Sequence, residues 1–265
     1  MADWVLYGAA LLVGALLGSF LNVVISRLPR SAGLVEAEGR PSGLAYPPSQ
    51  CEACGRRLRP FDLIPVLSYI LLRGRCRTCG AEIGIRHLLV EIGGSLLGVA
   101  TVYLAPSALA LAAIGILFFM LLALTVIDAE TGFLPDRLTL PLLALGLGFS
   151  FAPFTPSPVQ SFIGALVGGG GLWLLAFAYR LFRGREGLGG GDVKLVAAGG
   201  AWCGAVALPA LLLIASVTGL LFALFQMVGG RKERALSAEL RFGPFLCAAI
   251  ALTYTAELLE LFAPG

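Results

Sequence analysis

The sequence predicts an all-α polytopic membrane protein with about eight transmembrane segments and a small cytoplasmic zinc-knuckle insert. Three observations carry this. Hydrophobic residues fill 58% of the 265 positions while charged ones fill 13%, and the mean hydropathy of +0.89 excludes the balance of a soluble globular domain. Apolar runs near the ~20 residues that cross a bilayer recur along the chain. All nineteen Lys and Arg fall into four places: Arg27 to Arg86, Arg137, Arg180 to Lys194 and Arg231 to Arg241.

The expected spans are Trp4 to Ile25, Leu88 to Ala105, Ala108 to Ile127, Leu138 to Phe151, Val159 to Phe182, Leu208 to Val228 and Phe242 to Phe262. Val193 to Val206 is shorter and interrupted by glycine, which fits a broken or partly inserted helix. The chain thus reads as a first transmembrane helix (1–26), a cytoplasmic insert (27–87) and a transmembrane core (88–265). Alternating the spans puts all four basic places on one face. By the positive-inside tendency that face is the cytoplasm, with the N-terminus outside, in a bacterial inner membrane once the resemblance below is taken into account. The net charge of +3 then follows from topology, and no nucleic-acid partner is expected.

The first apolar run lacks a basic n-region and leads straight into a positive flank, so it reads as a retained span rather than a signal peptide. Trp4 and Tyr7 suit an interfacial aromatic belt. The pairs Gly14 with Gly18, Gly94 with Gly98, and Gly164 with Gly168 are spaced for close helix contact.

The insert is polar and too small to hold a large core without a staple. Cys51-Glu52-Ala53-Cys54 and Cys76-Arg77-Thr78-Cys79, with twenty-one residues between, supply one. Two C-x2-C pairs have the ligand count and spacing of a tetrahedral four-cysteine zinc site, and a reducing cytoplasm disfavours the alternative of two disulfides. Arg56, Arg57, Arg75 and Arg77 would offset the charge of a zinc tetrathiolate. Between the knuckles, Phe61 to Leu72 is too short to span and is expected to pack on the zinc module or lie at the membrane surface. His87, the single histidine, reads as an interfacial or packing residue, and Cys203 and Cys247 as core.

The stretch Gly187-Leu188-Gly189-Gly190-Gly191-Asp192 is a glycine-rich turn that ends in one acid, where Asp192 is placed to cap the next helix. Alone it reads first as a loop plus an N-cap. A second acid, Asp128, closes the third span as Asp192 opens the sixth, so both fall at one membrane boundary, where acids are costly and functional candidates. Two carboxylates brought together in low dielectric share a proton, the working state of an aspartic protease. No H-E-x-x-H is present, and Gly93-Gly94-Ser95-Leu96 is not a serine-nucleophile motif. A transporter or channel with Asp128 and Asp192 as a proton or cation relay is the competing reading.

Gly189-Gly190-Gly191-Asp192 fits the G-x-G-D signature of membrane aspartic proteases, and the wider pattern resembles the bacterial type IV prepilin peptidase family. The matching pieces run from Gly18 to Pro29, through the four cysteines with Leu63 to Ser68 and Leu72 to Arg75, to Val90-Glu91, Ile127-Asp128, Leu134-Pro135-Asp136, Gly189 to Leu195 and Phe242-Gly243-Pro244. The chain departs from the family pattern where Glu52 follows the first cysteine in place of a common proline, and where His87 stands for the usual tyrosine.

The resemblance implies cleavage of a short basic leader from prepilins and pseudopilins of type IV pilus and type II secretion systems. It assigns the catalytic pair to Asp128 and Asp192, and the substrate loop to Gly189, Gly190 and Gly191, with Asp136 as a helix cap or substrate-facing group. It also implies N-methylation of the new N-terminal residue with S-adenosylmethionine, for which Gly74 is the candidate residue. Glu36, Glu38, Asp62, Glu82 and Glu130 are the acids available to the leader's positive charge, while each taken individually reads first as a solvated surface acid.

Overall fold

The structure, a computed structural model, describes residues 3–35, 43, 46, 48–184, 189–228 and 241–262. It is helical throughout, with no strand among the described residues, and divides into two compact units, Met1–Ala123 and Leu124–Gly265.

The first unit is built on two long helices, α1 (Asp3–Ser31) and α3 (Ile85–Leu104), that run antiparallel. Their seam is made by the small-residue pairs. A Cβ at Gly94 would lie 2.5 Å from the Gly14 carbonyl oxygen, and one at Gly98 would lie 2.5 Å from that of Ala10. Only glycine allows this approach, which suits membrane helices held by packing rather than by escape from water. At the polar end of the seam the Asn22 side-chain amide donates to the His87 carbonyl at 3.0 Å.

The insert between them carries a 3-10 turn (Pro60–Leu63) and a short helix α2 (Leu67–Leu71). Glu91 of α3 ties it down by accepting the Val66 N–H at 2.7 Å. Val66 has φ +60°, a strained conformation for a β-branched residue, so this hydrogen bond holds a corner the chain would not adopt alone. Phe61, Ile70 and Leu71 stay exposed, as an apolar surface destined for a membrane face would. The unit closes with the first part of α4 (Ala108–Thr131).

The second unit holds the end of α4 and then α5 (Asp136–Phe149), α6 (Pro158–Arg183), α7 (Gly190–Cys203), α8 (Leu208–Val228) and α9 (Gly243–Phe262). α6 starts on Ser157, whose side chain accepts the Gln160 N–H, has proline at its first position, and stops at Gly184 with φ +66°. α7 is the centre of the unit, with every residue from Leu195 to Cys203 buried. The Trp202 indole donates to the Leu142 carbonyl at 2.9 Å and meets Tyr254 edge-on at 5.8 Å. α6 comes close because a Cβ at Gly164 would lie 2.2 Å from the Gly200 carbonyl oxygen. Cys203 and Cys247 are buried, as expected for core residues.

Among the described residues six helices are long and apolar enough to cross a membrane: α1, α3, α4, α6, α8 and α9. The two expected spans that fall short are α5 and α7, each of 14 residues. A helix of that length covers only about 21 Å, so α7 is broken short by the glycine turn at its start and by Gly204 at its end.

Candidate active site

Asp128 lies in the last complete turns of α4, which stops at Gly132, φ +72°, whose N–H closes on the Asp128 carbonyl at 2.8 Å. The side chain is 4% exposed. A carboxylate near the C-terminal end of its own helix stands at the unfavourable end of that dipole. Gly243, the first residue of α9, offsets this with its N–H, which donates to Asp128 Oδ2 at 3.1 Å. A Cβ at 243 would lie 2.7 Å from both Cγ and Oδ2 of Asp128, so only glycine brings the donor this close. Arg241 donates to the Ala129 carbonyl and so binds the same end of α4.

Asp192 is half-buried in the first turn of α7. The N-cap is Gly189, so Asp192 does not itself cap the helix as its place after the turn suggested. It occupies the third helical position and folds back toward the turn, its Oδ2 3.1 Å from where a Cβ of Gly189 would lie. Gly191 lets the turn sit on the Leu134-Pro135-Asp136 corner, since a Cβ there would lie 2.8 Å from that of Leu134. Gly190 has open space around it. Asp128 and Asp192 are near enough that the charge of one acts on the other. Gly187, at the start of the glycine stretch, lies outside the described residues.

Asp136 is exposed in the first turn of α5, and Pro135 holds the N-cap position. It pairs with Lys194, Nζ to Oδ1 2.6 Å, one turn beyond Gly190 on α7. Gly243 and Arg241 are the residues that reading the sequence did not place in the site. Their one sequence signal was Phe242-Gly243-Pro244, a glycine followed by proline at the head of the last helix.

In the first unit, Cys51, Cys54, Cys76 and Cys79 bring their sulfurs within 4.8 Å of one another, and Cys51 Sγ lies 3.8 Å from Cys79 Sγ. Four sulfurs at ~2.3 Å from one zinc would be about 3.8 Å apart, so the cluster fits a tetrahedral ion. The two knuckles are built alike. Cys51 N–H donates to the Arg56 carbonyl and Gly55 N–H to the Cys51 carbonyl; Cys76 and Gly80 repeat the pattern with Ala81 and Cys76. Each turn needs its glycine, with φ +69° at Gly55 and +70° at Gly80. His87 stands apart from these ligands, its Nδ1 3.2 Å from the Gly84 carbonyl.

Gly74 has φ +65°, and a Cβ there would lie 2.9 Å from the Tyr69 hydroxyl. Of the acids considered for a basic leader, Asp62 is engaged by Arg77 at 2.9 Å with its side chain 9% exposed, and Glu82 pairs loosely with Arg75 at 3.9 Å. Glu130 is exposed; Glu36 and Glu38 lie outside the described residues.

A sequence profile of the Bacterial Peptidase A24 N-terminal domain matches residues 12–105, and one of the Type IV leader peptidase family matches residues 115–224. The chain is 45% identical over 260 residues to a prepilin leader peptidase/N-methyltransferase of Burkholderia pseudomallei (strain 1026b), covering 92% of this chain and 83% of the relative. Proteins of the same name from Dickeya chrysanthemi and Neisseria gonorrhoeae are 43% and 39% identical, covering 97% and 94% of this chain and 94% and 90% of their own length. No solved structure matches. These relatives do not favour a transporter or channel, and the six helices long and apolar enough to span among the described residues make this a multi-pass membrane protein. The chain belongs to the type IV leader peptidase family.

Proposed function

We propose that this enzyme removes the basic leader of type IV prepilins and pseudopilins at the cytoplasmic face of a bacterial inner membrane, its N-terminus outside, and then N-methylates the new N-terminal residue. The observation that carries the cleavage reading is that Asp128 and Asp192 come from separate helices, near enough for the charge of one to act on the other, with the Gly243 N–H on the Asp128 carboxylate. Two such carboxylates hold one proton between them. The ionised one takes a proton from water as it attacks the scissile carbonyl, and the protonated one donates to the carbonyl oxygen; the roles reverse as the amine leaves. Gly189 to Gly191 leave backbone room for an extended substrate beside the acids.

The four cysteines would hold a structural zinc that fixes the insert. S-adenosylmethionine, when bound, supplies an electrophilic methyl group on a sulfonium cation. This chain's chemistry suits a cationic donor, since Glu91 is the buried acid of the first unit among the described residues and its carboxylate accepts the Val66 N–H. Purified protein incubated with a prepilin in detergent should yield the shortened pilin, and Asp128→Asn and Asp192→Asn should each abolish it while still inserting in membranes. Full cleavage by either variant would overturn the assignment.

A further inference from the structure

We propose that Gly243 is a positioning residue for peptide cleavage: its N–H and its missing side chain together set where the Asp128 carboxylate sits. The proposal rests on the reading of Asp128 as one of the catalytic pair. Three features meet at this point. The Gly243 N–H reaches Asp128 Oδ2 at 3.1 Å. A Cβ at 243 would fall 2.7 Å from Cγ and Oδ2 and 3.0 Å from Cβ of Asp128, distances that force something to shift. Two residues earlier, Arg241 holds the Ala129 carbonyl, so the backbone of α4 around Asp128 is gripped by the same short segment.

Other tight glycines do a different job. Gly164 and Gly200 meet each other's backbone, and a side chain there would push two helices apart. At Gly243 the neighbour in the way is the carboxylate itself, so a side chain would displace the reacting group first. The Gly243 N–H on Oδ2 thus fixes the orientation of the carboxyl group that would act with Asp192. At Gly189 a Cβ would lie 3.1 Å from Asp192 Oδ2, a looser contact than the one at Gly243.

The test compares Gly243→Ala, Asp128→Asn and Gly148→Ala in the full-length protein, Gly148 having open space where its Cβ would be. Leader removal from a prepilin is measured as kcat and KM, and methyl transfer to an already cleaved pilin counts the folded molecules. A carboxylate misplaced by ~1 Å costs on the order of 10²-fold in rate. Gly243→Ala should therefore lower kcat per folded molecule about 100-fold with KM within about threefold, while Gly148→Ala behaves as wild type. The proposal fails if Gly243→Ala keeps kcat within about twofold, or if cleavage and methyl transfer fall in parallel, which is loss of fold alone. Asp128→Asn separates the two levels: an active variant removes the catalytic reading, whereas an inactive one beside an active Gly243→Ala removes this proposal only.

Discussion

Lys194 Nζ stands 2.6 Å from Asp136 Oδ1, joining the second turn of α7 to the first turn of α5. Asp136 is eight residues beyond Asp128 and is its natural rival as a catalytic acid. The ion pair gives it another task, that of fixing the corner on which the glycine turn rests. Both partners are partly exposed, and such pairs contribute ~0 to 1 kcal/mol. Asp136→Asn should therefore slow leader removal by less than about tenfold, whereas Asp128→Asn and Asp192→Asn should slow it by at least about 10³-fold, in the range of lost acid–base catalysis. Equal losses for all three variants would reopen the choice of the first acid.

The sulfur cluster leads to a prediction about metal content. Purified protein should carry one zinc per chain, and replacing any one of Cys51, Cys54, Cys76 or Cys79 by Ser should lower retention sharply, because a four-ligand site has no spare donor. Strong chelation should raise amide exchange at Cys51, Gly55, Cys76 and Gly80, whose N–H groups form the two knuckles. Zinc below about a tenth of an equivalent, with those amides equally protected after chelation, would make the cluster a metal-free fold element.

Much of this was legible beforehand, for identifiable reasons. The cysteine spacing encodes a local geometry, and the apolar runs encode burial in lipid. The glycine pairs encode close approach, and here Gly14 and Gly18 of α1 seat against Gly94 and the Val90–Glu91 backbone of α3. What stayed hidden depends on contacts between distant parts of the chain. Gly243 lies 115 residues from Asp128, and the Phe242-Gly243-Pro244 pattern does not say which acid its N–H meets. Asp192 was misplaced by one turn's logic: the acid after a glycine run looks like a cap, but Gly189 starts the helix and Asp192 reaches back to it. Asp62 looked like a surface acid because its burial under Arg77 comes from a pairing across the insert.

The corner at Gly74 separates the two expected activities. A side chain there would combine a left-handed backbone with a clash against Tyr69, at a cost of roughly 1 to 2 kcal/mol from the backbone alone. Gly74→Ala should lower methyl transfer by at least about tenfold and leave leader removal near wild type. Glu91→Ala, which frees the strained Val66, should act in the same direction. Mass spectrometry of processed pilin N-termini reads both reactions in one sample. Cleavage lost together with methylation in both variants would mean that this corner supports the whole fold.

The α1–α3 seam gives a stability prediction with a built-in control. At Gly94 a methyl group would lie 2.5 Å from the Gly14 carbonyl oxygen and 2.9 Å from the Gly18 Cα, both backbone atoms that no side-chain rotation can move. Overpacking of this kind costs about 1 to 3 kcal/mol, and within a membrane no hydrophobic gain offsets it. At Gly8, on the same α1, nothing lies within 4 Å of the corresponding position. Gly94→Ala should thus lower the unfolding midpoint in detergent clearly, while Gly8→Ala should leave it unchanged or raise it by the ~1 kcal/mol that alanine gains over glycine in a helix. If the two substitutions shifted the midpoint equally, the seam would not be the contact that holds the first unit together.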